Sequence, residues 1–211
     1  MLFDLHTHRK TIECDGIVNC GFNDDFSLFP RFSLGIHPWD VDEHWEENYA
    51  TLENLLKNLP ADSFHDRLCA IGEIGLDRLR GGDMKMQERC FMKQLSLAEN
   101  YQLPVIIHAV KTVNEVVACL SEIKISKPVV FHGFRGKAEQ ARQLLSKGFY
   151  LSFGSRFHAE SLRLAYASGR MFLETDDSCM DISEVYASAS KALNISATDI
   201  CVPGIFSSAA I

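Results

Sequence analysis

Short apolar runs of strand-like length alternate with stretches of helical periodicity along most of the chain, and this alternation constrains the fold more than any other feature. It is the pattern of parallel strands joined by crossover helices, because each strand end must be carried back to the start of the next. The runs lie at 2–6, 17–20, 32–36, 68–74, 103–108, 128–132, 148–153 and 170–175. Eight of them predict an α/β fold of the TIM-type β/α barrel. Such barrels usually need about 250 residues. This chain has 211, so part of the barrel must be trimmed. The trimming falls early, since the gaps between the first three runs are short and carry no helical stripe. Further on, Trp45, Tyr49, Leu52, Leu56 and Leu59 recur at helical spacing, as do Phe91, Leu95 and Ala98, then Val113, Val116, Val117, Leu120 and Ile123.

Thr112, with Glu115 three residues on, predicts a helix N-cap, and Gly148 after Leu144 and Leu145 predicts a C′ glycine. Pro104 and Pro128 stand at strand starts, where a missing N–H does least harm. Ser196 to Ile211 is small and apolar and predicts no particular element. With 46% hydrophobic residues the chain can bury one sizeable core, and a single domain spanning 1–211 is expected.

Charge and cysteine content narrow the class. A formal net charge of −7 opposes the broad basic surface that counterion release on nucleic acid favours, so a polyanionic substrate would have to be held by bound metal and a few local cations. Seven cysteines, at 14, 20, 69, 90, 119, 179 and 201, are an odd number without a C-x-x-C pair. That pattern opposes a disulfide framework and suits a reducing cytoplasm, with Cys69 and Cys119 in contexts typical of core packing. The apolar runs are too short to span a bilayer, and Asp4, His6 and Arg9 interrupt the place where a signal peptide needs its apolar region. A soluble cytoplasmic protein with no membrane partner is the expectation, and oligomeric state is left open.

In a β/α barrel the catalytic groups stand at the C-terminal ends of the strands, so what terminates each run is informative. The first ends in Asp4-Leu5-His6-Thr7-His8, the third in Gly35-Ile36-His37-Pro38, and the fourth in Gly72-Glu73-Ile74-Gly75-Leu76-Asp77. The fifth ends at His108, the sixth at His132, and the last in Glu174-Thr175-Asp176. Five of the 8 histidines fall at such ends, whereas His44, His65 and His158 lie in polar helix or loop contexts. Burying so many imidazoles and carboxylates without a cation would leave polar groups unpaired at ~1–3 kcal/mol each, so one or two divalent metal ions are expected there. His6 and His8, two apart, point to one side of a strand and can grip one ion together. Imidazole suits zinc, iron or manganese while carboxylate also suits magnesium, so the mixed donor set does not fix the metal, and zinc, manganese or magnesium is expected.

The run from Asp4 to His8, GIHP at 35–38, AIGEIGLD at 70–77, QERCF with Gln87 and Phe91, LPVIIH at 103–108, HGFRG at 132–136 and LETD at 173–176 occur in fixed order. Together they resemble the TatD family of metal-dependent hydrolases from Met1 to about Tyr186. A barrel family of the polymerase and histidinol phosphatase type also opens with a D-L-H-T-H-like run, but the later motifs favour the TatD resemblance.

The resemblance implies that His6, His8 and Asp176 hold a first metal ion, that His108 and His132 hold a second, and that Glu73 bridges them. It places His37 close by as a hydrogen-bonding or proton-transfer group. Asp176, Glu73 and His37 are thus the candidate catalytic residues, and Asp77 is a candidate for fixing a ligand's orientation. Where many relatives carry an arginine beside the strand-five histidine, this chain has Lys111, and it has Arg135 where many carry serine. These two cations are the candidate substrate anchors. The implied activity is that of a metal-dependent phosphodiesterase or deoxyribonuclease acting on DNA or RNA ends or a small phosphodiester through a metal-activated water. The alternatives are a deacylase or small-molecule hydrolase in the same pocket, and a non-catalytic barrel retaining its metal site.

Overall fold

The computed structural model describes residues 2–10, 14–58 and 67–206. Its strands are β1 (Phe3–Thr7), β2 (Asp15–Cys20), β3 (Phe32–Leu34), β4 (Leu68–Asp77), β5 (Val105–Val110), β6 (Val129–Phe131), β7 (Tyr150–Phe153) and β8 (Met171–Leu173). They follow one another in chain order within one sheet, the strand order of a TIM-type β/α barrel. The helices are α1 (Trp45–Lys57), α2 (Met84–Asn100), α3 (Val113–Glu122), α4 (Ala138–Ser146), α5 (Ala159–Ala167) and α6 (Ile182–Leu193). As the spacing predicts, the connection from β2 to β3 holds only a short 3-10 turn at Phe26–Leu28. Leu59 and His65 lie outside the described residues.

Two compact units divide the chain, Met1–Val18 with Val130–Ile211 and Asn19–Val129. The first contains β1, β7, β8 and α4 to α6. Within it Thr7 pairs with Asp176, bringing the end of β8 onto the end of β1. Leu5, Phe153, Leu162, Phe172, Leu173 and Val185 are fully buried. The Tyr186 hydroxyl donates to the Phe3 carbonyl and accepts from the Phe3 N–H, both at 3.2 Å, tying α6 to the start of β1. The unassigned tail has two short turns, and Phe206 packs its ring 5.6 Å from that of Phe172.

The second unit contains β3 to β5 and α1 to α3. Leu52, Ile71, Ile74, Phe91, Leu95, Val105, Ile107 and Val116 fill its core, and Trp45 clusters with Ile36, Val41 and Cys90. Gly75 has a φ of +148°, and a Cβ there would fall 2.0 Å from the His108 carbonyl oxygen. Only glycine lets β4 run this close to β5 at that histidine.

Gly148, with a φ of +90°, is the C′ residue of α4; its N–H and that of Phe149 donate to Leu145 and Leu144. Thr112 occupies the N-cap position of α3 without capping it. Its buried hydroxyl donates instead to the Leu76 carbonyl at 2.7 Å, a long-range bond that wins over the local one.

None of the seven cysteines is in a disulfide. Cys119 is buried as expected, whereas Cys69 is only half-buried and Cys179 and Cys201 are exposed. Burial pushes the Cys90 thiol up to about 12 and the Cys119 thiol up to about 11, starving both of reactive thiolate. Iodoacetamide at neutral pH is therefore expected to label Cys179 and Cys201 quickly and to spare Cys90 and Cys119 until the protein is unfolded, with hydrolytic activity retained. Peptide mass mapping checks this, and loss of activity in step with labelling of Cys179 or Cys201 would point to a thiol mechanism.

Candidate metal centre

In the first unit, β1 and β8 present His6, His8 and Asp176 together. The Asp176 backbone takes the left-handed conformation at φ +55°, which aspartate tolerates better than most residues. The Asp176 N–H donates to the His6 carbonyl at 2.9 Å, and the His8 N–H donates to the Asp176 carbonyl at 3.2 Å. The carboxylate is thereby set facing both rings, with Oδ1 3.9 Å from His6 Nε2 and 3.6 Å from His8 Nε2.

Asp4, the leading acid of the first motif, serves as a strut. Its carboxyl accepts from the Thr175 N–H at 2.9 Å and from the Thr175 hydroxyl at 2.7 Å, fixing the residue between Glu174 and Asp176. Burial raises its pKa to about 6, against the lowering effect of those two bonds.

His132, just past β6, lies beside Glu174. Its Nδ1 is 3.2 Å from Glu174 Oε1, which also accepts the Gly133 N–H at 2.6 Å. Burial alone would push the Glu174 carboxyl up, but the His132 and His6 rings outweigh it and hold the acid below the usual carboxylate range. An ionised Glu174 takes the proton of His132 on Nδ1 and leaves the lone pair on Nε2, the arrangement by which carboxylates orient histidine ligands. The second oxygen, Oε2, is buried with no hydrogen-bond partner among the described residues. A buried carboxylate oxygen in that condition fits a cation. Donor atoms of His132, Glu174 and Asp176 all lie within 4.8 Å of one another.

The second unit builds a comparable cluster from His37, Glu73 and His108, whose donor atoms also lie within 4.8 Å of one another. Glu73 Oε1 is 2.6 Å from His108 Nδ1 and 3.3 Å from His37 Nε2. Asp77 Oδ2 takes the far nitrogen of His108, Nε2, at 3.0 Å. Burial would raise the Asp77 carboxyl, yet bonds from the Trp39 indole, the Leu79 N–H and His108 hold it below its ordinary value. In neutral His108 the proton thus sits on Nε2 and the Nδ1 lone pair faces Glu73. Two electron-rich atoms at that separation need a proton or a cation between them, so this cluster also fits a metal ion. His37 is the converse case. Its Nδ1 accepts the Trp39 N–H at 3.1 Å, so its Nε2 carries the proton and points it at Glu73.

Three amide side chains that the sequence reading did not single out as site residues hold these groups in place. Asn19 Oδ1 accepts the Glu73 N–H at 3.0 Å and the Ser33 hydroxyl at 3.2 Å. Gln94 bonds both the N–H and the carbonyl of Ile36, at 2.7 and 3.1 Å, steadying the end of β3 before His37. Gln87 accepts from the Asp77 N–H and donates to the carbonyls of Asp77, Arg80 and Gly82. The two glutamines are seven apart on α2 and both buried. Glu174 was also missed, although it stands two residues before Asp176 as His6 does before His8.

Lys111 follows β5 directly, exposed, with a φ of +58° and its carbonyl accepting Arg78 Nε at 3.2 Å. Arg135 is exposed in the segment after β6.

A parallel β/α barrel with histidine and carboxylate clusters at its strand ends defines a metal-dependent hydrolase class. The chain belongs to the TatD family: the family described as TatD related DNase matches residues 23–185. An uncharacterized metal-dependent hydrolase of Haemophilus influenzae is 34% identical over 171 residues, covering 74% of this chain and 63% of that protein. Another, from Bacillus subtilis, is 37% identical over 184 residues, covering 73% of this chain and 69% of that protein. A human deoxyribonuclease is 33% identical over 125 residues, covering 56% of this chain and 45% of its own length. The chain thus spans about two-thirds or less of the length of these relatives. A crystal structure of a TatD homologue from Escherichia coli superposes with a TM-score of 0.76 at 21% identity, over 94% of this chain and 93% of that one, and shows the same fold.

Carboxylates that orient histidine ligands commonly tune metal affinity ten- to a hundred-fold. Glu174→Gln and Asp77→Asn are each expected to weaken zinc or manganese binding by roughly that factor, with an unchanged circular dichroism spectrum. Competition against a chromogenic chelator reads it, and wild-type affinity in both variants would remove these two acids from the centre.

Proposed function

We propose that this chain is a two-metal phosphodiesterase of the deoxyribonuclease type, acting on DNA or RNA ends or on a small phosphodiester. The observation that carries this reading is the pair of donor clusters, His6, His8 and Asp176 on one side and His37, Glu73 and His108 on the other, each joining imidazole to carboxylate. The name of the human relative supports the choice of substrate. His6, His8 and Asp176 would hold one ion, His108 and His132 would hold a second, and Glu73 would be a carboxylate ligand for both.

Divalent ions in such a site lower the pKa of water and polarise a phosphoryl oxygen. The protein's own groups do the rest. Asp77 and Glu174 fix the tautomers of His108 and His132 and so aim their lone pairs. His37, its Nε2 proton set by the Trp39 N–H, donates a hydrogen bond to the reacting group. Asp176, less buried than Glu73, accepts the proton released by the attacking water. Arg135 and Lys111 anchor the substrate phosphate, the first as a two-pronged fork and the second as a point charge.

A panel of single-stranded oligonucleotides, a dinucleotide, phosphomonoesters and a neutral ester, assayed with zinc, manganese and magnesium, tests the reading. Phosphodiester cleavage is expected to dominate. Arg135→Ala is expected to lower kcat/KM on the phosphodiester by a factor equivalent to ~1.5–3 kcal/mol, the range for a hydrogen bond to a charged group. Cleavage confined to the neutral ester, or equal losses on both substrate types, would move the assignment to a deacylase.

A further inference from the structure

Beside the second cluster stands an exposed tryptophan carrying a cation. Trp39 is 45% exposed, and its ring lies 4.7 Å from that of His37 and 5.8 Å from that of His108. The indole N–H donates to Asp77 Oδ2 at 2.6 Å, which fixes the ring plane. Over that ring, 4.0 Å from its centroid, rests the guanidinium of Arg80. Among the described residues no carboxylate pairs with it. Other arginines are committed elsewhere: Arg78 to Glu115 and the Lys111 carbonyl, Arg9 to Asp181 and two carbonyls, Arg142 to Glu160.

The loop that bears Arg80 is held rigidly. Asp77 Oδ1 accepts the N–H groups of Leu79 and Arg80 at 2.8 and 3.1 Å, and Gln87 Nε2 donates to the Arg80 and Gly82 carbonyls at 3.2 and 3.0 Å. One carboxylate, Asp77, therefore orients His108, Trp39 and the Arg80 backbone together. A guanidinium stacked on an aromatic face is already desolvated on one side and keeps its planar edge for a ligand. Arg80 is exposed, as Lys111 is, but its stacked guanidinium loses less freedom on binding an anion.

We propose that Arg80 is a phosphate-binding residue, taking the phosphate next to the bond that is cut, and that Trp39 is the positioning residue that holds its guanidinium there. This rests on the phosphodiesterase reading and adds to it a third cation, absent from the anchors named by the sequence. Chemically the subsite takes a phosphate monoester or diester of a nucleotide chain, as a two-pronged hydrogen bond to two oxygens.

The test uses the full chain and the thymidine dinucleotide pTpT, with Kd measured by calorimetry across a salt series and KM and kcat measured for its cleavage. Arg80→Ala is expected to raise Kd and KM roughly ten- to a hundred-fold with kcat changed much less, and to flatten the slope of log Kd against log salt by about 0.7. Arg80→Lys is expected to restore the salt slope but only part of the affinity, since a point charge replaces the fork. Trp39→Phe keeps an aromatic face while losing the bond to Asp77, and is expected to stay within about three-fold of wild type in Kd, whereas Trp39→Leu approaches Arg80→Ala. Unchanged Kd and salt slope in Arg80→Ala overturn the phosphate assignment even if pTpT is cleaved normally. Equal losses in Trp39→Phe and Trp39→Leu overturn the positioning role. If the wild type binds pTpT in an Arg80-dependent manner yet cleaves no phosphodiester, the reaction assignment fails and the subsite stands. A wild type that neither binds nor cleaves pTpT overturns both.

Discussion

Glu73→Gln and Asp176→Asn should each lower hydrolysis roughly a thousand-fold or more while the protein stays folded. Both substitutions keep shape and remove charge. Glu73 Oε1 is faced by both His37 and His108, at 3.3 and 2.6 Å, so an amide there weakens the acceptor of the His37 proton and removes the negative charge that would hold a cation beside the His108 Nδ1 lone pair. Asp176 holds the corresponding place between His6 and His8, and its backbone bonds to both residues survive the change to asparagine, a residue that also accepts a left-handed φ. Core packing is untouched, because neither carboxylate contributes to the buried apolar set. Circular dichroism and thermal melts should therefore show native variants, and metal analysis should show reduced loading. Near wild-type rates in both, on every substrate the parent cleaves, would mean the reacting groups lie elsewhere.

Much of this was legible from where polar residues end apolar runs. His6, His37, His108 and His132 each close a strand-like segment, and a barrel turns such positions toward one rim. Strand limits were less legible. The run expected at 170–175 extends past Leu173, where β8 ends: the Glu174 N–H still donates to the Phe153 carbonyl at 3.1 Å, but the Thr175 N–H turns to the Asp4 carboxylate. The supporting acids and amides are harder still, because a polar residue inside an apolar stripe gives no hint of which distant group it will meet. Gln87 and Gln94 interrupt the buried face of α2 at a spacing of two turns, and Asn19 interrupts the apolar run of β2. Those interruptions are the available signal, and burial without a partner would have been costly at each. The Trp39 and Arg80 pair lies beyond such reasoning, because the two residues belong to different connections and meet only once Asp77 has folded the loop.

Chelation is expected to abolish activity and to lower the melting temperature, with zinc or manganese restoring both. The clusters bring electron-rich groups together: Asp176 faces two histidines, Glu174 Oε2 is buried with no hydrogen bond among the described residues, and His108 Nδ1 lies 2.6 Å from Glu73. Stripped of cations, these groups must take up protons or repel one another, and either outcome destabilises the fold relative to the loaded state. A ligand at a hundred times its Kd stabilises by about 2.7 kcal/mol, which for a chain of this size corresponds to roughly 5–10 °C. Elemental analysis of the purified protein should find up to two divalent ions per chain. Removing one donor set at a time then separates the clusters. His6→Ala with His8→Ala should cost one equivalent and leave the cluster of His37, Glu73 and His108 able to bind, whereas His108→Ala should cost the other. Protein that stays empty after incubation with zinc, manganese and magnesium, and melts at the same temperature throughout, would show that these clusters are held by protons alone and that the hydrolase reading has no metal to rest on.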